Sequence, residues 1–379
     1  MTKNIVILGA GFAGIPLAHK LLQHTIPKVE GLKLILVSAS THLYWNIAAV
    51  RAVVPGQIPE DELFQPIEDG FTKYKPSQFE LIIGRATGVN LEQEQVTIDI
   101  DGTVKTVNYH HLILATGSSV SSGLPFKHVG SSEDTKLALR KLQERVKAAK
   151  SIVIAGDGPT GVETAGEIAE AYGGEKKITL IVSKNHALPG LLPSVGQKAE
   201  KVLSKMNTTI IRNVKVVDAK SVGSSQSITL SDGKVLDADV YLPLFGLHAN
   251  SSFLPPVILD DKGNVKLDNK LRVTGTDNVW GVGDIGNLET KQATKADAQL
   301  IHLAKSLDAV LVGNSAGVLE YKKSEKPMIF VTLGKKTGTG QMGNMKAFGW
   351  MVSYVKGRTL FVEKGQPIAE GKSGLQGRI

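Results

Sequence analysis

The feature that most constrains this chain is a glycine motif that occurs twice. GAGFAG, at positions 9–14, follows the apolar run Asn4 to Leu8, and GDGPTG, at 156–161, follows the run Ile152 to Ala155. In a βαβ unit the first glycine permits a tight turn, the second lets a pyrophosphate approach the backbone, and the third lets the helix pack on the strand. Both motifs open a helical pattern that a second apolar run follows. The chain therefore predicts two βαβ units and two bound dinucleotides.

Length and composition bound the class of protein. A chain of 379 residues suits two or three domains, and 42% hydrophobic with 21% charged residues is typical of a globular protein. No apolar run reaches the roughly 20 residues that a membrane helix needs. Met1-Thr2 is not the Met-Gly start that myristoylation requires, and Asn4 already begins a strand. We expect an intracellular protein without a secretory leader or a constitutive lipid anchor.

The chain contains no cysteine. This excludes disulfides, thiolate metal sites and the dithiol relay of thioredoxin-reductase and glutathione-reductase enzymes. The nine histidines show no metal-binding spacing, and the pair His110-His111 just before a strand favours a structural role. We predict no metal site.

The second strand of each unit lacks the usual acidic residue at its end. Ser38 lies 24 residues after Gly14, and Ser183 lies 22 residues after Gly161. A serine hydroxyl can still make one hydrogen bond to a ribose. In the second unit Ser183, Lys184 and His186 could bind a 2′-phosphate, or Lys184 could be an ordinary surface lysine. Because no carboxylate is present at this point of the sequence, we expect NADH and NADPH to be accepted within about tenfold of each other.

Three further residues stand out. Glu163 lies one turn into the second helix and therefore near the ring of a bound dinucleotide, or it is only a helix-N-terminal charge. Arg51 is the one charge in the apolar segment Thr41 to Pro55, which favours pairing with a buried anion such as a pyrophosphate. Asp284 ends an apolar strand, where ligands of open α/β sheets bind, or it caps the following helix.

The connecting segments predict two β-meanders and one place where the chain crosses between domains. Leu81 to Ile100 and Thr209 to Val240 alternate as β-meanders, with hairpin turns at Asp101-Gly102 and Asp232-Gly233. The small residues after Ala115-Thr116-Gly117 suggest that the chain crosses between domains. Residues 133–149 predict a charged helix.

Basic charge is concentrated at the C-terminus. Residues 315–379 hold nine Lys and two Arg against four Glu, a net charge of +7 of the total +8. Interleaved with Phe348, Trp350, Met351, Tyr354, Val355 and Phe361, these residues suit an anionic membrane surface. The alternative is a small α/β domain in which Phe348 and Trp350 pack on the run Ile329 to Gly334. No nucleic-acid motif supports a nucleic-acid partner.

These residues together resemble the pyridine-nucleotide-disulphide oxidoreductase superfamily, and within it the apoptosis-inducing-factor-like group that includes the ferroptosis suppressor proteins. Besides the glycine motifs, the resemblance rests on these stretches: NIAAVRA (46–52), HLILATGS (111–118), LPSV (192–195), FVTLG (330–334), GTGQMG (338–343) and KGRTLFV (356–362). It implies an α/β fold with two Rossmann-like, glutathione-reductase-type domains and a small α/β C-terminal domain. Residues 1–122 and 251–314 would bind FAD, 123–250 would bind NADH or NADPH, and 315–379 would form the basic C-terminal domain.

The resemblance also implies roles for single residues. The FAD site would consist of Gly9, Ala10, Gly11, Phe12, Ala13, Gly14, Ser38, Arg51, Ala86, Thr116, Gly117, Asp284 and Gln292. The NAD(P)H site would consist of Gly156, Gly158, Thr160, Gly161, Ser183 and Gly246. Glu163, Lys127 and Lys291 would be the catalytic residues beside the flavin. Thr2 stands where ferroptosis suppressor proteins carry their myristoylated glycine.

The function that this pattern implies is a flavoenzyme. NAD(P)H would reduce FAD, and with no cysteine relay the reduced flavin would pass electrons directly to an acceptor, for which a quinone is the leading candidate. The alternative is a flavoprotein that senses NAD(P)H and signals through conformation, as in apoptosis-inducing factor. The implied location is cytoplasmic or peripheral to a mitochondrial or lipid-droplet membrane. The pattern does not predict an oligomeric state.

Overall fold

A computed structural model describes residues 3–223 and 225–376. The expectation for Met1-Thr2 lies outside these residues. The described residues before Lys150 contain ten strands and five α-helices. The strands are β1 (Lys3–Leu8), β2 (Leu32–Ser38), β3 (His42–Tyr44), β4 (Phe64–Pro66), β5 (Phe79–Ile83), β6 (Arg85–Asn90), β7 (Gln95–Ile100), β8 (Thr103–Asn108), β9 (His111–Leu114) and β10 (Ser118–Val120). The helices are α1 (Gly14–His24), α2 (Ala49–Ala52), α3 (Glu60–Leu63), α4 (Glu68–Phe71) and α5 (Ser132–Ala148).

The remaining elements follow in chain order. The strands are β11 (Ser151–Ala155), β12 (Lys177–Val182), β13 (Thr208–Arg212), β14 (Val216–Val222), β15 (Ser225–Leu230), β16 (Val235–Ala238), β17 (Val240–Pro243), β18 (Leu247–Ala249), β19 (Val279–Gly281), β20 (Met328–Thr332), β21 (Gly338–Met342) and β22 (Met345–Lys346). The helices are α6 (Pro159–Tyr172), α7 (Pro193–Lys205), α8 (Ala293–Leu311), α9 (Gly349–Val352) and α10 (Gly365–Ala369).

Two parallel sheets form the framework. The first has the strand order β19-β9-β1-β2-β5, and the second has the order β13-β12-β11-β17. Ile5 to Leu8 are fully buried, because a central parallel strand is covered on both faces and must be apolar throughout. In each sheet the glycine motif joins the central strand to a helix, as the two-unit interpretation predicts. Strand β19 pairs with β9, and Gly283, just after β19, lies close to Ala13 of the first glycine loop.

The two meanders begin later than the sequence suggests. β5 and β13 each add to the edge of a parallel sheet, so Leu81 and Thr209 belong to those sheets and the meanders comprise β6-β7-β8 and β14-β15-β16. The hairpin turn at Asp101-Gly102 is confirmed, with φ of 49° and 85° at its two residues. Such left-handed pairs match the twist of the flanking strands.

The C-terminal segment is a three-stranded antiparallel sheet, β20-β21-β22, with short helices. β20 packs on α6, and β21 packs on α7. Between them and α10 lies a π-helical turn, Ser353–Gly357. The described residues include no helix that is both long and apolar enough to span a bilayer.

Candidate functional site

The first glycine loop leaves its backbone open to a ligand. Gly9 has a φ of 107°, and a Cβ there would overlap the carbonyl oxygen of Ala115, while a Cβ at Gly14 would overlap that of Gly9. Packing therefore requires both glycines. A Cβ at Gly11 would have no atom within 4 Å, so packing does not explain this glycine. A close-lying pyrophosphate at the start of α1 does explain it, since the group needs bare backbone and free N–H donors.

The second loop repeats this arrangement. Gly156 has a φ of 149°, and its Cβ would overlap the carbonyl oxygen of Leu244; a Cβ at Gly161 would overlap that of Gly156. Gly158 again has no atom within 4 Å of a Cβ. Thr160, in the first turn of α6, is half-buried beside this open space. The residues present thus fit a dinucleotide at each loop.

Asp284 lies in a cluster of cations at the edge of the first sheet. Its Oδ2 accepts hydrogen bonds from Ser118 Oγ at 2.8 Å and Lys127 Nζ at 3.0 Å, and its backbone oxygen accepts one from Lys291 Nζ. Burial by itself would raise the pKa of Asp284, but Lys127 and Ser118 hold it below its ordinary value. Burial lowers the pKa of Lys291, and the Asp284 charge opposes this. The three predicted residues Asp284, Lys127 and Lys291 are brought together.

The strand pair of β10 and β18 connects other predicted residues. β10 pairs with β18 in antiparallel register, and Asn250 binds the carbonyl oxygen of Thr116 at 2.8 Å while Thr116 Oγ1 donates back to Asn250 O at 2.9 Å. Gly117 and Gly246 both have positive φ, 68° and 75°, at the two ends of this strand pair. β10 and β18 thus form a two-stranded sheet of their own, and a crossing between domains after Gly117 stays a prediction.

Three predicted FAD residues lie in different settings. Ser38 Oγ donates to Ser40 O at 2.6 Å and accepts from Ser40 N at 3.2 Å, so its one proton is used inside a local turn. Ala86 lies in β6 beside an irregularity of the hairpin, and Gln292 immediately precedes α8. A contact of these three with FAD stays a prediction.

The structure corrects the partner expected for Arg51. The Nε and Nη2 atoms donate to the two carboxylate oxygens of Glu167 at 2.7 and 2.9 Å, and Nη1 and Nη2 donate to the carbonyl oxygens of Arg358 and Gly357. The side chains of Arg51 and Glu167 are 2% and 3% exposed. Burial raises the pKa of Glu167, and Arg51 opposes this rise. The buried anion is thus a carboxylate of the protein, because α2 packs directly on α6.

Glu163 lies next to this pair and binds the C-terminal segment. Its Oε1 accepts hydrogen bonds from Thr332 N at 2.8 Å and from Lys356 Nζ at 2.6 Å. The Glu163 and Lys356 side chains are 5% and 14% exposed. Lys356 opens the KGRTLFV stretch, but the sequence analysis gave it no role, since 193 residues separate it from Glu163. The sequence signal for Lys356 was its position in KGRTLFV, one of the stretches on which the family resemblance rests.

A carboxylate that the sequence analysis missed lies at the end of β12. Asp157, inside the second glycine loop, accepts hydrogen bonds on Oδ2 from Ser183 Oγ at 2.6 Å and from Ser183 N at 3.1 Å. The expectation that this strand end has no carboxylate is wrong. The spacing rule looks for an acidic residue on the strand, whereas here the loop supplies it. The sequence signal for this carboxylate was the position of Asp157 between Gly156 and Gly158, the first two glycines of the second motif.

Aromatic side chains are exposed beside Lys356. Phe348 is 67% exposed, Trp350 is 70% exposed and Tyr354 is 66% exposed. Phe348 and Trp350 are therefore not core residues, contrary to the alternative. The Ile329 to Gly334 run packs on α6, on the π-helical turn and on α9, the helix whose Trp350 side chain is exposed. The described residues hold no cluster of three His, Asp or Glu side chains placed for a metal ion.

Comparison with known proteins agrees with this geometry. Residues 3–299 match the pyridine nucleotide-disulphide oxidoreductase family. The chain is 40% identical to oxidoreductase ptaL of Pestalotiopsis fici, over 97% of this chain and 99% of that protein. It is 29% identical to ferroptosis suppressor protein 1 of Xenopus laevis, over 95% and 94% of the two chains.

Solved structures share the fold at low sequence identity. NDH2 of Plasmodium falciparum in complex with NADH superposes with a TM-score of 0.78 at 15% identity, covering 97% of both chains. The sulfide:quinone oxidoreductase of Aquifex aeolicus gives 0.75 at 16% identity, covering 98% of this chain and 92% of that one. With two open dinucleotide loops and a family match over most of its length, this chain belongs to the pyridine nucleotide-disulphide oxidoreductase family and is an FAD-dependent NAD(P)H oxidoreductase of the apoptosis-inducing-factor-like type.

Proposed function

We propose that the electron acceptor of this enzyme is a quinone that reaches the flavin directly. The observation that carries the proposal is the buried Glu163–Lys356 pair, whose lysine lies in the same π-helical turn as the exposed Tyr354. A proton donor is therefore held in the same turn as an exposed aromatic side chain. Bound FAD would take a hydride from NAD(P)H and release two electrons to the acceptor.

The residues of the chain would have separate tasks in this reaction. Gly11 and Gly158 give the two pyrophosphates access to the backbone, and the starts of α1 and α6 stabilise their charge. Lys127 and Lys291 would offset negative charge around Asp284. Reduction of a quinone to a quinol by NAD(P)H consumes one further proton. Lys356 Nζ holds a proton at 2.6 Å from Glu163 Oε1, so this pair could supply it.

The quinone proposal has two further supports. Without cysteine, no dithiol can carry electrons away from the flavin, so the acceptor must come to it. The sulfide:quinone oxidoreductase of the same fold uses a quinone by its name.

We further propose that residues 315–379 hold the protein at an anionic membrane, where lipid-soluble quinones occur. Phe348, Trp350 and Tyr354 are exposed together on this segment, next to the exposed Lys346 and Arg358. Exposed aromatics interleaved with cations suit the headgroup region. Each cation near such a surface contributes on the order of 1 kcal/mol, so three or four would give weak, reversible binding.

The experiment is anaerobic stopped-flow measurement of the two half-reactions. Glu163→Gln removes the carboxylate that holds Lys356 Nζ in place, and it should slow oxidation of the reduced flavin by a ubiquinone analogue at least about tenfold, since proton donation by a positioned general acid typically contributes 10²–10⁴-fold. It should change flavin reduction by NADH much less. Glu170→Gln, on the same helix, is the control, because Glu170 contacts only the backbone N–H of Lys335 among its described hydrogen bonds. Equal slowing of both half-reactions by Glu163→Gln, or no turnover with any quinone of a panel, would reject the proposal.

A further inference from the structure

The position of Asp157 bears on which nicotinamide nucleotide the protein uses. In a βαβ dinucleotide unit, the group that recognises the adenosine ribose lies at the end of the second strand, beside the glycine loop. Here that strand is β12, and Ser183 follows its last residue. Asp157 Oδ2 lies 3.1 Å from Ser183 N and 2.6 Å from Ser183 Oγ. The loop thus delivers a carboxylate to the place that a strand residue usually fills.

The second oxygen of this carboxylate is open to a ligand. Among the described residues, Asp157 Oδ1 has no hydrogen-bond partner and Asp157 forms no ion pair. Arg212 ends the neighbouring strand β13, but its Nε and Nη2 atoms are bound to Glu200 at 2.9 and 2.7 Å. Lys184 is exposed next to Ser183. The charge of Asp157 is therefore not neutralised by an ion pair of its own.

We propose that Asp157 binds the ribose 2′-hydroxyl and makes this protein selective for NADH over NADPH. This proposal rests on the proposed nucleotide site at Gly156–Gly161. A carboxylate accepts a hydrogen bond from a free hydroxyl, and its charge repels the dianionic 2′-phosphate. Like charges placed together in a binding site suppress the wrong partner strongly. This replaces the expectation from Ser183 that both nucleotides are accepted within about tenfold.

The test uses ligands that cannot react, so that it does not depend on the electron acceptor. Isothermal titration calorimetry on the FAD-loaded protein would compare ADP-ribose with 2′-phospho-ADP-ribose. We expect ADP-ribose to bind at least about a hundredfold more tightly. Asp157→Asn keeps the shape of the side chain and an acceptor for Ser183 N but removes the charge. It should reduce this ratio at least about tenfold, mainly by strengthening the binding of the phosphorylated ligand.

Two matched variants test whether the charge of Asp157, rather than its neighbours Ser183 and Lys184, sets the preference for ADP-ribose. Ser183→Ala keeps the carboxylate and should retain the preference for ADP-ribose. Lys184→Ala should retain or increase it. The proposal is overturned if the unmodified protein binds both ligands within tenfold, or if a folded Asp157→Asn variant shows an unchanged ratio. A failure of the quinone proposal would look different, because ADP-ribose would still bind while quinone turnover was absent.

Discussion

The buried ion pair between Arg51 and Glu167 gives the sharpest test of how the C-terminal segment is held. Two hydrogen bonds of 2.7 and 2.9 Å join the guanidinium to the carboxylate, and two more join it to the carbonyl oxygens of Gly357 and Arg358. Both side chains are at most 3% exposed. Arg51 thus fastens α2 to α6 and to the turn that carries Lys356.

Replacing Arg51 with Met should destabilise the protein strongly. The substitution leaves the Glu167 carboxylate buried without its counterion, and breaking a buried pair in this way costs about 3–5 kcal/mol. The double variant Arg51→Met with Glu167→Leu removes both charges, and apolar replacement of a whole buried pair is often nearly neutral. We therefore expect the double variant to recover most of the loss. The measurement is the urea midpoint at a fixed, saturating FAD concentration, because bound cofactor adds to apparent stability.

The chain offers a matched control in Arg140 and Glu60. This pair has nearly the same two-bond geometry, with distances of 2.8 and 2.6 Å, but its side chains are 57% and 36% exposed. Arg140→Met should leave the midpoint unchanged within error, since exposed pairs contribute little. A similar midpoint for Arg51→Met and Arg140→Met would refute the argument from burial. Loss of FAD with Arg51→Met but not with Glu167→Leu would instead show that Arg51 binds the flavin.

Three further outcomes are expected. The purified protein should be yellow and release FAD rather than FMN on denaturation. Gly11→Val should abolish FAD binding, while circular dichroism should show that the fold persists. The reason is that a Cβ at this position meets no protein atom within 4 Å, so the side chain would occupy only the space of the ligand. Burial lowers the pKa of His19 and of His128 to about 4 each, so the unfolded chain binds more protons than the folded protein between pH 6.5 and 4. The free energy of unfolding should therefore fall with acid over this window, by up to about 3 kcal/mol per histidine. The urea midpoints at pH 7.5 and pH 5 should differ less in His19→Gln than in the unmodified protein, and equal midpoints in the unmodified protein would show that these histidines do not have lowered pKa values. Co-sedimentation with liposomes should require anionic lipid, weaken as salt rises and be lost in the double variant Phe348→Ser with Trp350→Ser, whereas equal binding to neutral and anionic vesicles would exclude an electrostatic membrane role.

Local patterns in the sequence determined much of the framework. The two glycine motifs predicted both βαβ units, because a tight turn between a buried strand and a helix needs glycines at fixed spacing. The turn Asp101-Gly102 was also predictable, since few residues adopt left-handed backbone in succession. The helix predicted at 133–149 is α5, which begins behind a capping box formed by Ser131 and Asp134. The domain limits after residues 122, 250 and 314 stay predictions.

Only the tertiary structure decided which charges meet. Glu163 pairs with Lys356 across 193 residues, and Arg51 pairs with Glu167 across 116, so no local pattern could indicate either partner. The two carboxylates lie four residues apart and so share one face of α6, but the packing of α2 and of the C-terminal segment on that face selects their cations. Asp157 lies within a motif that the sequence identified, yet its nearness to Ser183 arises from the parallel pairing of β11 with β12, which brings the loop after one strand to the end of the other.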